Sequence, residues 1–98
     1  MKIALDEFVR YLRSISGQRV LTQFRQKPFT IEMASKWLFI TPLSSGKSRY
    51  HDLETVSRIV EEYNKTGSLR PRDYQDITWN SSYTLALIKA FTEKETTG

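Results

Sequence analysis

The Gly-Lys-Ser tripeptide at 46–48 is the first place in the sequence where residue types and spacing suggest chemistry, because it matches the end of a phosphate-binding loop. The complete pattern requires a further glycine five positions before the tripeptide's own glycine, where this chain has Thr41. It also requires a helix directly after the loop, whereas the next amphipathic pattern begins only near Leu53. We therefore do not expect nucleotide hydrolysis. The hydroxyls, amides and cations of segment 44–49 remain suited to contact a nucleic-acid phosphate.

His51 is the other residue whose type could support catalysis, and it is the only histidine in a chain without cysteine. A zinc site would then rest mostly on carboxylates, which makes it a poor candidate. A general base needs a nucleophile or an orienting acid nearby, and the adjacent Asp52 is better explained as the N-cap of a helix. The carboxylates also lack the spacing of a two-metal hydrolase. The sequence therefore predicts no catalytic residue, no metal site and no cofactor.

The positive charges are concentrated in the N-terminal half of the chain. Residues 1–50 carry nine Lys and Arg against three acids, a net charge of +6, whereas residues 51–98 carry six against eight, a net charge of −2. Between Arg10 and Arg49, eight cations are accompanied by one acid, Glu32. This asymmetry is typical of a surface that binds a polyanion, although an acidic protein partner or solubility alone would also explain it.

Aromatic residues are interleaved with these cations. Trp37, Phe39 and Tyr50 could stack on bases while neighbouring basic side chains contact phosphates. The alternative is that these rings belong to the core, as aromatic residues of a central strand usually do. The predicted nucleic-acid-binding residues are Arg25, Lys27, Lys36, Trp37, Lys47, Arg49 and Tyr50.

Length and composition limit the architecture that can position these residues. Ninety-eight residues suffice for one domain, and 39% hydrophobic with 27% charged residues is ordinary for a globular chain. The lack of cysteine excludes disulfides and favours a cytoplasmic location. No apolar run reaches the ~18 residues that span a bilayer, and the acidic segment 1–7 does not predict a signal peptide. We expect one domain over residues 1–92, followed by a disordered polar tail over 93–98.

Hydrophobic periodicity predicts the elements. Apolar residues with helical spacing from Leu5 indicate an amphipathic helix that Gly17 ends. Period-two alternation in 20–25 and 29–33, followed by the apolar run 37–40, then predicts three antiparallel strands, the third most buried, with a turn at Ala34-Ser35. Asp52 caps a second helix, and the segment 83–91 is apolar almost all round, which places it in the core or in a dimer interface. The predicted fold is α+β: a three-stranded antiparallel meander with an N-terminal helix and two or three C-terminal helices packed on one face.

These observations favour a small non-catalytic nucleic-acid-binding domain, with DNA ahead of RNA as the partner. The alternative is a protein-interaction or homo-oligomeric adaptor, which would use the Tyr83–Phe91 helix or an exposed strand edge. A small nuclease is the third hypothesis. We expect neither a membrane partner nor a cofactor.

Overall fold

The alternating residues 28–42 form the centre of the fold as two long antiparallel strands. The computed structural model describes residues 2–97, and in this part of the chain four strands form one antiparallel sheet in the order of the sequence. The elements are, in chain order, α1 (Leu5–Ser14), β1 (Arg19–Leu21), β2 (Pro28–Ala34), β3 (Trp37–Pro42), β4 (Arg49–Asp52), α2 (Leu53–Thr66), a 3₁₀ helix (Pro71–Tyr74) and α3 (Ser81–Thr97). The predicted α+β class is confirmed.

The fourth strand corrects the predicted three-stranded meander. β4 pairs with β3 in antiparallel register, with Tyr50 opposite Phe39 and His51 opposite Leu38. Its residues are mostly polar, so the sequence shows no alternation there and assigns them to a loop and a helix cap. The strand forms by pairing with the otherwise unpaired edge of β3. This is an effect of tertiary structure and not of local sequence preference.

Two boundaries of the predicted meander also change. β1 ends at Leu21, because the chain leaves the sheet at Thr22 for the loop that leads to β2. The β2–β3 turn consists of Ser35 and Lys36, one residue later than predicted. Ser35 has a φ of +55°, a left-handed conformation that is strained for a residue other than glycine.

The core lies between the helices and one face of the sheet. On that face Phe29, Leu38 and Ile40 are completely buried and Ile31 nearly so. α1 contributes Phe8, whose ring meets Phe91 of α3 edge-on with 5.6 Å between ring centres. The other fully buried aliphatic residues of the helices are Leu12, Val56, Ile59, Leu85, Leu87 and Ile88. The deep location predicted for the apolar segment of α3 is therefore confirmed.

The helix ends follow their sequence signals. The Asp52 carboxylate accepts a hydrogen bond of 2.8 Å from the Thr55 amide and caps α2, which ends at Gly67 in a left-handed conformation. α3 continues to Thr97, so its backbone enters the polar segment predicted as a tail, and Gly98 lies outside the described residues. Among the described helices, none has the length and apolar character to cross a bilayer.

A side-chain bridge attaches the N-terminal segment to the far end of α2. The Asn64 amide nitrogen donates to the Ile3 carbonyl over 3.0 Å, and its oxygen accepts from the Ile3 amide over 2.7 Å. Both backbone groups of a nearly buried residue are thereby satisfied.

Candidate nucleic-acid interface

Three aromatic rings lie together on the face of the sheet that the helices leave open. In β3, Trp37 and Phe39 alternate with Leu38 and Ile40, so the two pairs point to opposite faces. Tyr50 joins them from β4 because it stands opposite Phe39. The exposed fractions of Trp37, Phe39 and Tyr50 are 37%, 36% and 64%. We call these three residues the aromatic face.

The rings of the aromatic face contact one another. Trp37 and Tyr50 meet edge to face, with 5.4 Å between ring centres, and Tyr50 and Phe39 are tilted at 6.4 Å. Tyr50 therefore holds a central position in a continuous cluster. Such contacts orient the rings, while each of the three residues remains at least a third exposed.

The surroundings of the aromatic face carry little net charge. Two acids pair with the aromatic face, Glu32 opposite Phe39 and Asp52 opposite Trp37, and Arg19 lies in the cross-strand row of Thr30 and Thr41. The Thr41 and Ser48 hydroxyls are hydrogen-bonded at 2.8 Å. Cations that contact a phosphate chain would therefore have to come mainly from the ends of the sheet.

Lys36 lies at one of these ends, in the β2–β3 turn directly before Trp37. Its carbonyl accepts a hydrogen bond of 2.9 Å from the Leu53 amide, which attaches the turn to the start of α2. The Arg13 guanidinium donates to the carbonyl of the neighbouring Ser35 over 3.3 Å. Lys36 and the Arg13 guanidinium thus both belong to, or contact, the turn that precedes Trp37.

The remaining predicted cations lie at the opposite end of the sheet. Arg25 and Lys27 belong to the loop between β1 and β2, Lys47 to the loop between β3 and β4, and Arg49 to the start of β4. Arg49 stands opposite the buried Ile40, so it belongs to the helix side and not to the aromatic face. The structure therefore brings Trp37, Tyr50 and Lys36 together and separates them from Arg25, Lys27 and Arg49.

Those three cations line one cavity on the helix side, which sequence reasoning did not find. The cavity has a volume of about 410 Å³ and opens between the two loops and the first turn of α3. Its walls come from four segments that are distant in sequence, so no local pattern could indicate it. We call it the loop cavity.

His51 is the one polar residue that β4 inserts into the core face. It is 6% exposed, its Nε2 lies 3.5 Å from the Thr78 hydroxyl, and its Nδ1 is buried without a hydrogen-bond partner among the described residues. Burial lowers the pKa of the imidazole below its ordinary value, against a smaller opposing effect of Asp52. The hydrogen bond from the Thr55 amide lowers the pKa of Asp52 itself. His51 is therefore a neutral, packed side chain at neutral pH, and Asp52 serves α2.

Comparison of the chain with protein-family models, with curated proteins and with solved structures found no match in any of the three.

Proposed function

We propose that this chain binds single-stranded nucleic acid without transforming it, through the aromatic face. The observation that carries the proposal is the cluster of Trp37, Phe39 and Tyr50 on two adjacent strands of an uncovered sheet face. Exposed rings stack on unpaired bases of any sequence, and each such contact is worth about 1–3 kcal/mol. Unpaired bases are needed because the faces of paired bases are already stacked inside a duplex.

The cations at the ends of the sheet support this proposal through their positions. Lys36 directly precedes Trp37, and Arg25, Lys27 and Lys47 belong to the two loops at the opposite end of the sheet, whereas Arg49 lies on the helix side. A strand that crosses the aromatic face parallel to β3 would meet positive charge at both ends of its path. We propose DNA as the first candidate and RNA as the second.

A protein partner is the second candidate function. Tyrosine and tryptophan are enriched at protein interfaces, and an uncovered aromatic patch also suits a partner surface. The route through the Tyr83–Phe91 helix loses support, because Leu85, Leu87 and Ile88 are fully buried in the chain's own core. An adaptor would therefore use the aromatic face or a sheet edge.

The test is a fluorescence-anisotropy titration of labelled single strands of about 12 nucleotides, in DNA and RNA versions. We expect Trp37→Ala and Tyr50→Ala each to weaken binding about 5- to 100-fold, since each removes one stacking contact. Trp79→Ala is the matched control, because Trp79 is 79% exposed but lies outside the sheet. It should bind like the parent.

The salt dependence provides a second measurement. Five phosphate contacts to a single strand should give a slope of log K against log salt of about −3.5. Absence of binding at low salt, or equal losses in the Trp37 and Trp79 variants, would contradict the proposal. Self-association that depends on Tyr50 in sedimentation experiments, without nucleic-acid binding, would instead support the adaptor.

A further inference from the structure

The loop cavity has a positively charged lining. Its cationic residues are Arg25, Lys27 and Arg49, and none of the described residues that line it is acidic. This is a strong bias in a chain that has eleven Asp and Glu against fifteen Lys and Arg. The lining also includes the uncharged polar residues Thr22, Gln23, Ser44, Ser45 and Ser82.

Arg49 is held in place before any ligand arrives. Its guanidinium donates to the Asn80 side-chain oxygen over 2.9 Å and lies over the Tyr83 ring at 5.5 Å. The Tyr83 ring is itself packed edge-on against Phe29, with 5.1 Å between centres. A guanidinium fixed in this way loses little conformational entropy on binding, and its remaining N–H groups match the oxygens of a phosphate.

Arg25 and Lys27 supply the other two cations of the site. Both are exposed and belong to the loop 22–27, whose ends are joined by a hydrogen bond of 3.0 Å from the Thr22 amide to the Lys27 carbonyl. The Thr22 hydroxyl also accepts from the Lys27 amide over 2.9 Å. The loop is therefore closed at its base, and its two cations are presented from one short segment opposite Arg49.

The cavity also has an apolar part. Phe24 lines it and is 70% exposed, so burying its ring against a ligand would recover apolar contact. A volume of about 410 Å³ falls within the range of sites that hold small organic molecules, which is about 300–1,000 Å³. Inorganic phosphate alone would leave most of this space empty. The lining thus fits a phosphate attached to a ring system.

We propose that the loop cavity binds a nucleoside phosphate monoester, with the phosphate between Arg49 and the Arg25–Lys27 pair and the base against Phe24. The phosphate belongs either to a free mononucleotide or to the phosphorylated end of a strand. This site goes beyond the proposed function, because it lies on the helix side of the sheet and does not need a strand on the aromatic face.

The experiment is isothermal titration calorimetry at low ionic strength with adenosine monophosphate, adenosine and inorganic phosphate. We expect the monophosphate to bind at least about 10-fold more tightly than adenosine, because charge-assisted hydrogen bonds are lost without the phosphate. The double variant Arg25→Gln/Lys27→Gln should weaken binding of the monophosphate at least about 10-fold. Arg10→Gln/Arg58→Gln removes the same charge from exposed helix positions outside this cavity and should bind like the parent.

Two further arms identify the source of the phosphate and separate this site from the aromatic face. Preference for a 5′-phosphorylated oligonucleotide over its unphosphorylated form, together with weaker mononucleotide binding, would assign the site to strand ends. Trp37→Ala should leave binding of adenosine monophosphate unchanged whether or not the aromatic face binds nucleic acid. Equal affinities for adenosine and its monophosphate, no binding of either, or an equal loss in the charge-matched control would overturn the assignment.

Discussion

β3 contributes large hydrophobic residues to both faces of the sheet, yet one face is closed and the other is open. Along β3, Leu38 and Ile40 are completely buried, whereas Trp37 and Phe39 remain more than a third exposed. The closed face of the strands is largely aliphatic and packs against helices, while the open face displays rings that contact each other. Alternate residues of one strand therefore differ in role: one pair packs the core, and the other is accessible to solvent.

The largest expected effect is on the closed face. Leu38→Ala should lower the free energy of unfolding by about 2–5 kcal/mol, because it removes a fully buried side chain and leaves a cavity. Phe39→Ala, at the next position, should cost about 1–2 kcal/mol, since about a third of the residue is already in solvent. Urea denaturation of both variants measures the difference. Equal losses in the free energy of unfolding would show that Phe39 is packed as tightly as Leu38 and that the two faces do not differ in this way.

The next effect concerns His51, the polar exception on the closed face. Because burial lowers its pKa, the folded protein binds the proton less readily than the unfolded chain, whose histidine titrates near 6.5. The stabilisation from the neutral imidazole is therefore complete above about pH 6.5 and is lost as the pH falls towards the lowered value of the folded state.

We expect this loss of stability on acidification to be smaller in His51→Gln, which cannot titrate. Urea midpoints measured for both proteins between about pH 7.5 and pH 5 test this. Parallel pH profiles for parent and variant would show that another group causes the acid sensitivity. Carboxylates common to both proteins serve as the internal reference.

A smaller effect on the free energy of unfolding is expected in the β2–β3 turn at Ser35, which fixes the register of the two strands. Ser35→Gly relieves a left-handed conformation that costs about 1 kcal/mol in a non-glycine residue, and the greater freedom of glycine in the unfolded chain offsets part of this. We expect a net stabilisation of about 0.5 kcal/mol. Ala34→Gly, within β2, should destabilise instead. A thermal melt that moves both variants in the same direction would contradict the strain assigned to Ser35.

The smallest expected effect on stability is at Lys47. Lys47→Ala should change the free energy of unfolding by less than about 0.5 kcal/mol, because the side chain is exposed on a loop. If the loop touches phosphate, the same variant weakens nucleic-acid binding and reduces the salt slope by about one phosphate contact. Paired melts and titrations test this separation. Unchanged binding in Lys47→Ala with a large loss in Lys36→Ala would place the phosphate contacts beside Trp37 instead.

The sequence predicts strands β2 and β3 because apolar and polar residues alternate in 29–33 and an apolar run follows at 37–40. It predicts the depth of α3 for a similar reason, since Leu85, Leu87 and Ile88 cover several sides of one helix. β4 could not be predicted in this way, because its pairing depends on the free edge of β3 and not on its own polar residues. The periodicity separates Trp37 and Phe39 from Leu38 and Ile40, but tertiary packing decides which pair the helices cover.

For the candidate site, the sequence predicts a set of residues but not where the fold places each of them. Trp37, Tyr50 and Lys36 come together because adjacent strands and one turn carry them. Arg49 does not join them, because it is paired with the buried Ile40 and therefore lies on the helix side of the sheet. Which face Arg49 occupies depends on the pairing register of β4 with β3, and this register cannot be derived from composition or from the distribution of charge along the sequence.

The bridge between Asn64 and Ile3 has a consequence for the order in which the chain folds. The hairpins of the sheet join residues that are close along the chain, whereas this bridge joins residues that are 61 positions apart. Closing so long a loop costs more chain entropy, and it becomes favourable only after α2 has packed on the sheet. We therefore expect the N-terminal segment to attach late during folding and to detach early during local opening, with faster amide exchange at Ile3 than in β2 or β3.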